Sequence, residues 1–319
     1  MIRAHKLRDG ATMCDVTLDD ALAAPPDTAV WLDIEDPCAD DLALLARLEF
    51  HPLAIEDCAH PQKRSKFERF PTHGFAVFHA LDRATPADPL DTAPVSIFIR
   101  TRLVVTVHHG RVAALVDVAS ALGRFPERVG TTAERVVHAI FDGCVDEMTT
   151  LLFVYSDRID ELEEVHPPDP RRDSPMRELL AARRDLLLLR RITLPQREVV
   201  QRFVDAESQD VSPEARIYFR DVLDHLEFVL DETHLLIDVC NGSIQLHANT
   251  QNERLNQVMK YLAIVSTLAM PFTVISGAFG MNFARVPFAN APYGFEAATA
   301  VMFAAACGLV VVFRVRRWL

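Results

Sequence analysis

Tyr261-Leu-Ala-Ile-Val-Ser-Thr-Leu-Ala-Met-Pro-Phe-Thr-Val-Ile-Ser-Gly-Ala-Phe-Gly280, followed at once by Met281-Asn282-Phe283, decides how the rest of the chain is read. The stretch carries no formal charge over about twenty residues, enough to cross a hydrocarbon core of ~30 Å as a helix. A second apolar run, Phe295 to Phe313, follows after a short loop. Upstream, the chain reads as a charged, water-soluble domain, so the protein is expected to act on the membrane from the cytosolic side.

Working back from Tyr261, the next proline is Pro213, in the helix-start signal Ser212-Pro213-Glu214. Proline is tolerated at the first helical position because its missing N–H would be unpaired there anyway. The only interior glycines before Gly280 are Gly242 and Gly277. An unbroken helix of roughly 65 residues would span about 100 Å at 1.5 Å per residue. No globular domain buries such a helix, so it is expected to be a stalk that becomes the first membrane span.

Along that helix Met259, Leu262, Ser266, Met270, Thr273 and Gly277 recur at spacings of three and four, forming one uncharged stripe. Two readings fit. As a pore lining, the stripe offers apolar constrictions at Met259, Leu262 and Met270 and hydroxyls at Ser266 and Thr273. As ordinary packing, it reflects the concentration of Ser, Thr and Gly between membrane helices. Behind it, Gly280 can take the left-handed conformation that ends a helix, and the freed carbonyls favour a cation. Asn282 adds a neutral amide oxygen able to accept hydrogen bonds from the water of a hydrated ion. Mg²⁺ dehydrates reluctantly and suits such a site.

The first 125 residues mix strand and helix signals. Ala29 to Ile34, Phe75 to Leu81, Val95 to Ile99 and Leu103 to Val107 are β-branched or aromatic runs, and the last two read as a hairpin. Ala39 to Phe50 has leucines at helical spacing. Thr131-x-x-Glu134 is a capping-box pattern before a helix reaching about His166. Ser174-Pro175 starts another helix, running to about Ala206, which Pro195 should kink or split. The fold class is α+β: a mixed α/β domain at 1–125, a helical and stalk region at 126–260, and a transmembrane hairpin at 261–319. Within the hairpin the spans are expected at about 261–280 and 295–313, with an outer loop at 281–294 and a basic tail.

The net charge of −12 argues against nucleic acid as a partner. Six cysteines at 14, 38, 58, 144, 240 and 307 form no Cys-x-x-Cys pair, and scattered thiols suit the cytosol. Residues 1–10 lack the apolar core of a signal peptide. Arg314, Arg316 and Arg317 follow the second span and Arg254 and Lys260 precede the first, whereas the loop holds only Arg285. Positive residues stay inside, so both termini are expected in the cytosol. Two helices enclose no water-filled path, so conduction requires a ring of copies in the bilayer. His108-His109 lie at a strand end, where adjacent residues point to opposite faces, and read as structural. His225, His234 and His247 read as packing or surface residues. No nucleophile–base set or phosphate loop appears, so the protein is not expected to be an enzyme.

Tyr218-Phe-Arg-Asp-Val-Leu-Asp-His225, Asn256-Gln-Val-Met-Lys260 and Gly280-Met-Asn-Phe283, in this order before a short loop and a second span, resemble the CorA magnesium transporter family. Leu194-Pro-Gln-Arg-Glu198, Ile55-Glu-Asp57 and Lys63-Arg-Ser-Lys66 are similar to further family segments. The resemblance covers most of the chain and implies a homopentamer in the cytoplasmic membrane with its α/β domain and stalk in the cytosol. It implies that Gly280, Met281 and Asn282 form the selectivity motif and that Thr273, Met270, Leu262 and Met259 line the pore. It implies that Asp221 helps hold a regulatory divalent ion between neighbouring domains. The partner carboxylate precedes the strand at Val95 to Ile99, with Asp82, Asp88 and Asp91 as candidates. The expected function is an Mg²⁺ influx channel, with Co²⁺ or Ni²⁺ as further cargo. The rivals are a zinc-type, proton-coupled member of the superfamily and a membrane-anchored sensor or scaffold that does not conduct. Two departures bear on ion preference: the loop Ala284 to Gly294 has no acidic residue and carries Arg285, and Gln245 stands where some relatives have a pore-facing acid.

Overall fold

The computed structural model describes residues 1–8, 12–60, 64–82, 90–164, 174–205, 211–281 and 291–318. In chain order the elements are β1 (Ile2–Leu7), α1 (Leu18–Leu22), β2 (Ala29–Glu35), α2 (Ala39–Arg47), α3 (Pro52–Ala59), β3 (Lys66–Arg69), β4 (Gly74–Asp82), β5 (Asp91–Arg100) and β6 (Leu103–His108). Then come α4 (Ala113–Arg124), α5 (Pro126–Val129), α6 (Ala133–Glu164), α7 (Ser174–Val204), α8 (Pro213–Phe279) and α9 (Gly294–Val315). Residues Met1–Ile244 and Gln245–Leu319 form two compact units.

In the first unit the strands form one sheet in the order β1-β2-β6-β5-β4-β3, with β2 and β6 parallel and the other neighbours antiparallel. The β5–β6 hairpin forms as its two runs predict. Alternation along β2 divides the core: Val30, Leu32 and Ile34 pack with Leu45, Ala54 and Cys58, whereas Trp31 packs with residues of α4, α6, α7 and α8. Both faces of the sheet are therefore covered, and its strands read as continuous apolar runs for that reason. On the second face the rings of Phe141, Phe203 and Phe219 meet, with centroids 5.5 Å and 4.9 Å apart, and join α6, α7 and α8. Gln196 donates from Nε2 to the buried His79 carbonyl at 2.7 Å, tying α7 to β4.

One local expectation is narrowed and another is corrected. Pro195 does not split its helix, because α7 continues from Ser174 to Val204 with the proline inside it. Packing of Leu189, Ile192, Val199 and Val200 in the core holds both flanks in register. The capping box at Thr131 and Glu134 is not the cap of α6. The Arg135 N–H donates to Thr132 Oγ1 at 3.3 Å, and Glu134 instead accepts from the backbone N–H and hydroxyl of Ser212, at 3.0 Å and 2.6 Å. Ser212 precedes the first turn of α8, whose amide groups have no helical acceptor, so a carboxylate is favoured there.

In the second unit, α8 and α9 are both long and apolar enough to span a membrane. Ile264 is buried, and Thr267, Leu268, Pro271, Phe272 and Ile275 are half-buried, at helical spacing along one face of α8. The matching positions of α9 are Ala298, Met302, Ala306 and Leu309, and the rings of Phe272 and Phe303 meet edge to face at 5.5 Å. That face is the contact within the hairpin.

Candidate functional site

Met259, Leu262, Ser266, Met270, Thr273 and Gly277 are all exposed and lie off the face of α8 that α9 covers. Packing inside the hairpin therefore does not account for the stripe. The Thr273 hydroxyl donates to the Ala269 carbonyl at 3.1 Å, which leaves its oxygen lone pairs free to accept. Pro271 stands within the stripe's span and has no N–H to offer the Thr267 carbonyl.

The helix ends differently from the expectation. Gly280 has no positive φ, and its N–H continues the helical pattern to the Ser276 carbonyl at 2.9 Å. A Cβ there would stand 3.2 Å from that same oxygen, a tight contact, and no left-handed turn calls for the glycine. Met281 is exposed beyond it. Asn282, Arg285 and Asp88 lie outside the described residues.

Asp221 has two neighbours. Asp142 on α6 and His225 one turn along α8 each bring a ligand atom to it, all within 4.8 Å of one another. It is the one such trio of metal-ligating side chains among the described residues. His225, expected to be a packing or surface residue, thus faces two carboxylates. Neither Asp82 nor Asp91 belongs to the group; they stand opposite each other where β4 ends and β5 begins. The His108-His109 expectation holds: His108 is buried and donates to Asp33 at 3.2 Å, whereas His109 is exposed.

The surroundings of the trio are acidic and partly dry. Burial raises the Asp142 carboxyl above its ordinary range, and Asp146 and Asp221 add to that against His225 and Arg135. His138 is pushed down to about 4, mainly by burial and then by Arg135. A cavity of about 750 Å³ adjoins, with Asp142, Asp146 and Glu147 among its lining and Leu81, Val118 and Leu151 as apolar wall. Glu147 accepts from the N–H groups of Leu81 and Ala114, yet burial first and Asp117 second raise its carboxyl to about 7. One of its oxygens, Oε2, is buried without a partner.

Glu147 yields a pH prediction. With a folded value of about 7 against an ordinary 4.5, the folded state holds more protons between these limits, so stability falls as pH rises through that window. Glu147→Gln keeps an acceptor for the two N–H groups and removes the charge. It should raise stability at pH 8 by about 2 kcal/mol, after discounting for partial contact with water, and flatten the slope between pH 5 and 7. Thermal unfolding of the purified protein in chelator checks this; an unchanged slope would refute it.

The family model for the CorA-like Mg²⁺ transporter protein matches residues 26–317. A putative metal ion transporter of Bacillus subtilis, YfjQ, is 33% identical over 299 residues, covering 92% of this chain and 91% of that protein. The cobalt/magnesium transport protein CorA of Thermotoga maritima is 29% identical over 296 residues, covering 92% and 84%. The complete structure of the CorA magnesium transporter from Methanocaldococcus jannaschii has the same fold, with a TM-score of 0.85 at 20% identity over 100% of this chain and 99% of that one. This chain belongs to the CorA-like Mg²⁺ transporter family: it is a multi-pass membrane protein that transports divalent cations, not an enzyme.

Proposed function

We propose that the protein is a homopentameric channel that carries hydrated Mg²⁺ inward, with Co²⁺ and Ni²⁺ as further cargo. One observation carries the reading: an uncharged stripe of methionine, leucine and hydroxyl side chains on the first span is exposed away from α9 and leads to Gly280, Met281 and Asn282. Copies arranged about an axis would turn that stripe inward, where hydroxyl and amide oxygens accept hydrogen bonds from an ion's own water. The basic residues flanking both spans place the two termini and the α/β domain in the cytosol of an inner membrane.

Regulation falls to Asp142, Asp221 and His225. Two carboxylates crowded in a partly dry site repel each other, and a divalent cation relieves the repulsion. A cytosolic ion bound there, completed by Asp82, Asp88 or Asp91 of a neighbouring copy, would favour the closed ring, and its loss would free the ring to open.

A zinc-type, proton-coupled transporter is the second reading. The His225 imidazole favours it, since nitrogen ligands suit Zn²⁺ better than Mg²⁺. Flux of Mg²⁺ and Zn²⁺ into proteoliposomes, with and without a proton gradient, separates the two. The channel reading expects Mg²⁺ flux that follows the membrane potential and ignores the proton gradient. Zn²⁺ flux that rises with an imposed proton gradient would replace it.

A further inference from the structure

We propose that the cavity between β1 and α4 is a second, separate metal site, binding a divalent transition-metal ion such as Zn²⁺, Co²⁺ or Ni²⁺ through His5, Cys14 and Asp15. The first observation is His5. It is 2% exposed, and neither ring nitrogen has a hydrogen-bond partner. Buried polar atoms are nearly always paired, so an imidazole with both nitrogens orphaned points to something that occupies the space beside it. Its ring is held by stacking on Trp31 at 5.0 Å, and Trp31 is fixed in turn by donating from Nε1 to Thr106 at 3.0 Å.

The second observation is what faces that ring. A cavity of about 720 Å³ is lined by His5, Cys14 and Asp15, with Ala119, Ser120 and Gly123 of α4 as its far wall. Cys14 is a free thiol lying against α4, since a Cβ on Gly123 would stand 3.8 Å from its sulfur. Nitrogen, sulfur and carboxylate oxygen together select borderline-soft ions, whereas Mg²⁺ takes oxygen alone. Burial lowers the His5 pKa, which keeps the ring in its neutral, ligating form. Burial and Asp15 raise the Cys14 thiol, so binding must displace a proton: the S–H bond breaks, the S–metal bond forms, and one H⁺ leaves to solvent. Arg3, a cation at the cavity edge, is engaged by Glu35 at 3.1 Å.

The three donors are not yet closed on a point. Cys14 and Asp15 sit between two attachments to β1, the Lys6–Met13 pair and the Val16 N–H to the Ala4 carbonyl at 2.9 Å. The backbone on either side of the two residues is thus held, and closing the site would fall to the side chains of Cys14 and Asp15.

Titration of the purified full-length protein with Co²⁺ tests the proposal. A near-ultraviolet thiolate-to-Co²⁺ charge-transfer band should appear, persist in excess Mg²⁺, and vanish in Cys14→Ser; His5→Gln should weaken binding at least about tenfold. On the unaltered protein, Zn²⁺ should slow alkylation of Cys14, located by mass spectrometry, and Mg²⁺ should not. A band that survives Cys14→Ser, or Cys14 alkylation at one rate with and without Zn²⁺, would overturn the site. Neither measurement depends on transport.

Discussion

Asn282→Ala should abolish selective Mg²⁺ uptake while leaving the assembled protein in the membrane. The argument is chemical. An amide oxygen accepts a hydrogen bond from water held by the ion, and alanine offers nothing in its place. Each such bond is worth about 0.5–1.5 kcal/mol. Repeated once per copy around a ring, the loss should reduce Mg²⁺ influx by more than about tenfold, and discrimination against monovalent ions should fall with it. Uptake in vesicles at fixed membrane potential is the measurement. Wild-type flux and selectivity in this variant would remove Asn282 from the pathway, whereas an unassembled variant would show as a changed oligomer on native gels.

Asp221→Ala should relieve inhibition by cytosolic Mg²⁺. Asp142, Asp221 and His225 converge within 4.8 Å, and burial has already raised the Asp142 carboxyl. Removing one of two carboxylates halves the charge offered to the ion. The Mg²⁺ concentration for half-closure should rise about tenfold, equivalent to about 1.4 kcal/mol of lost binding. Asp142→Asn should produce a similar shift, and chelation of internal Mg²⁺ should reproduce both in the unaltered protein. Because protons compete for Asp142, Mg²⁺ inhibition should weaken as pH falls. His225→Ala should affect Zn²⁺ or Co²⁺ more than Mg²⁺, since imidazole contributes little to binding a hard ion. Inhibition unchanged in Asp221→Ala and Asp142→Asn would leave the trio without a regulatory role.

Much of this was legible from local pattern. The central strands announce themselves because burial on both faces makes them continuous β-branched runs, and α8 does so because nothing between Pro213 and Pro271 can break it. β1 was missed for a physical reason. Ile2-Arg-Ala-His-Lys-Leu7 mixes charged and apolar residues on an edge strand of the sheet and looks like a solvated terminus. Of the trio, Asp221 and His225 are four apart and share a helix face, a signal available in the sequence. Asp142 joins them only through the packing of α6 on α8, which no local spacing encodes. The stripe was legible as a stripe. Which face α9 would cover was not, because helix–helix choice depends on shape across two elements. Glu134 shows the same limit: its spacing from Thr131 fits a cap, but a stronger pair of donors lay 78 residues away.

Pro271 has a mechanical consequence for the first span. It falls between Met270 and Thr273, and its missing N–H deletes one rung of the helix while its ring strains the turn before it. The helix bends more easily at that level than an unbroken ladder would allow. The methionine and leucine side chains below it and the threonine above it therefore need not move as one rigid rod. In the proposed channel, a small tilt of the lower half would widen or narrow the path while the upper half holds its angle. The narrow point of such a conduit and its ion-reading end would then be separately adjustable parts of one helix.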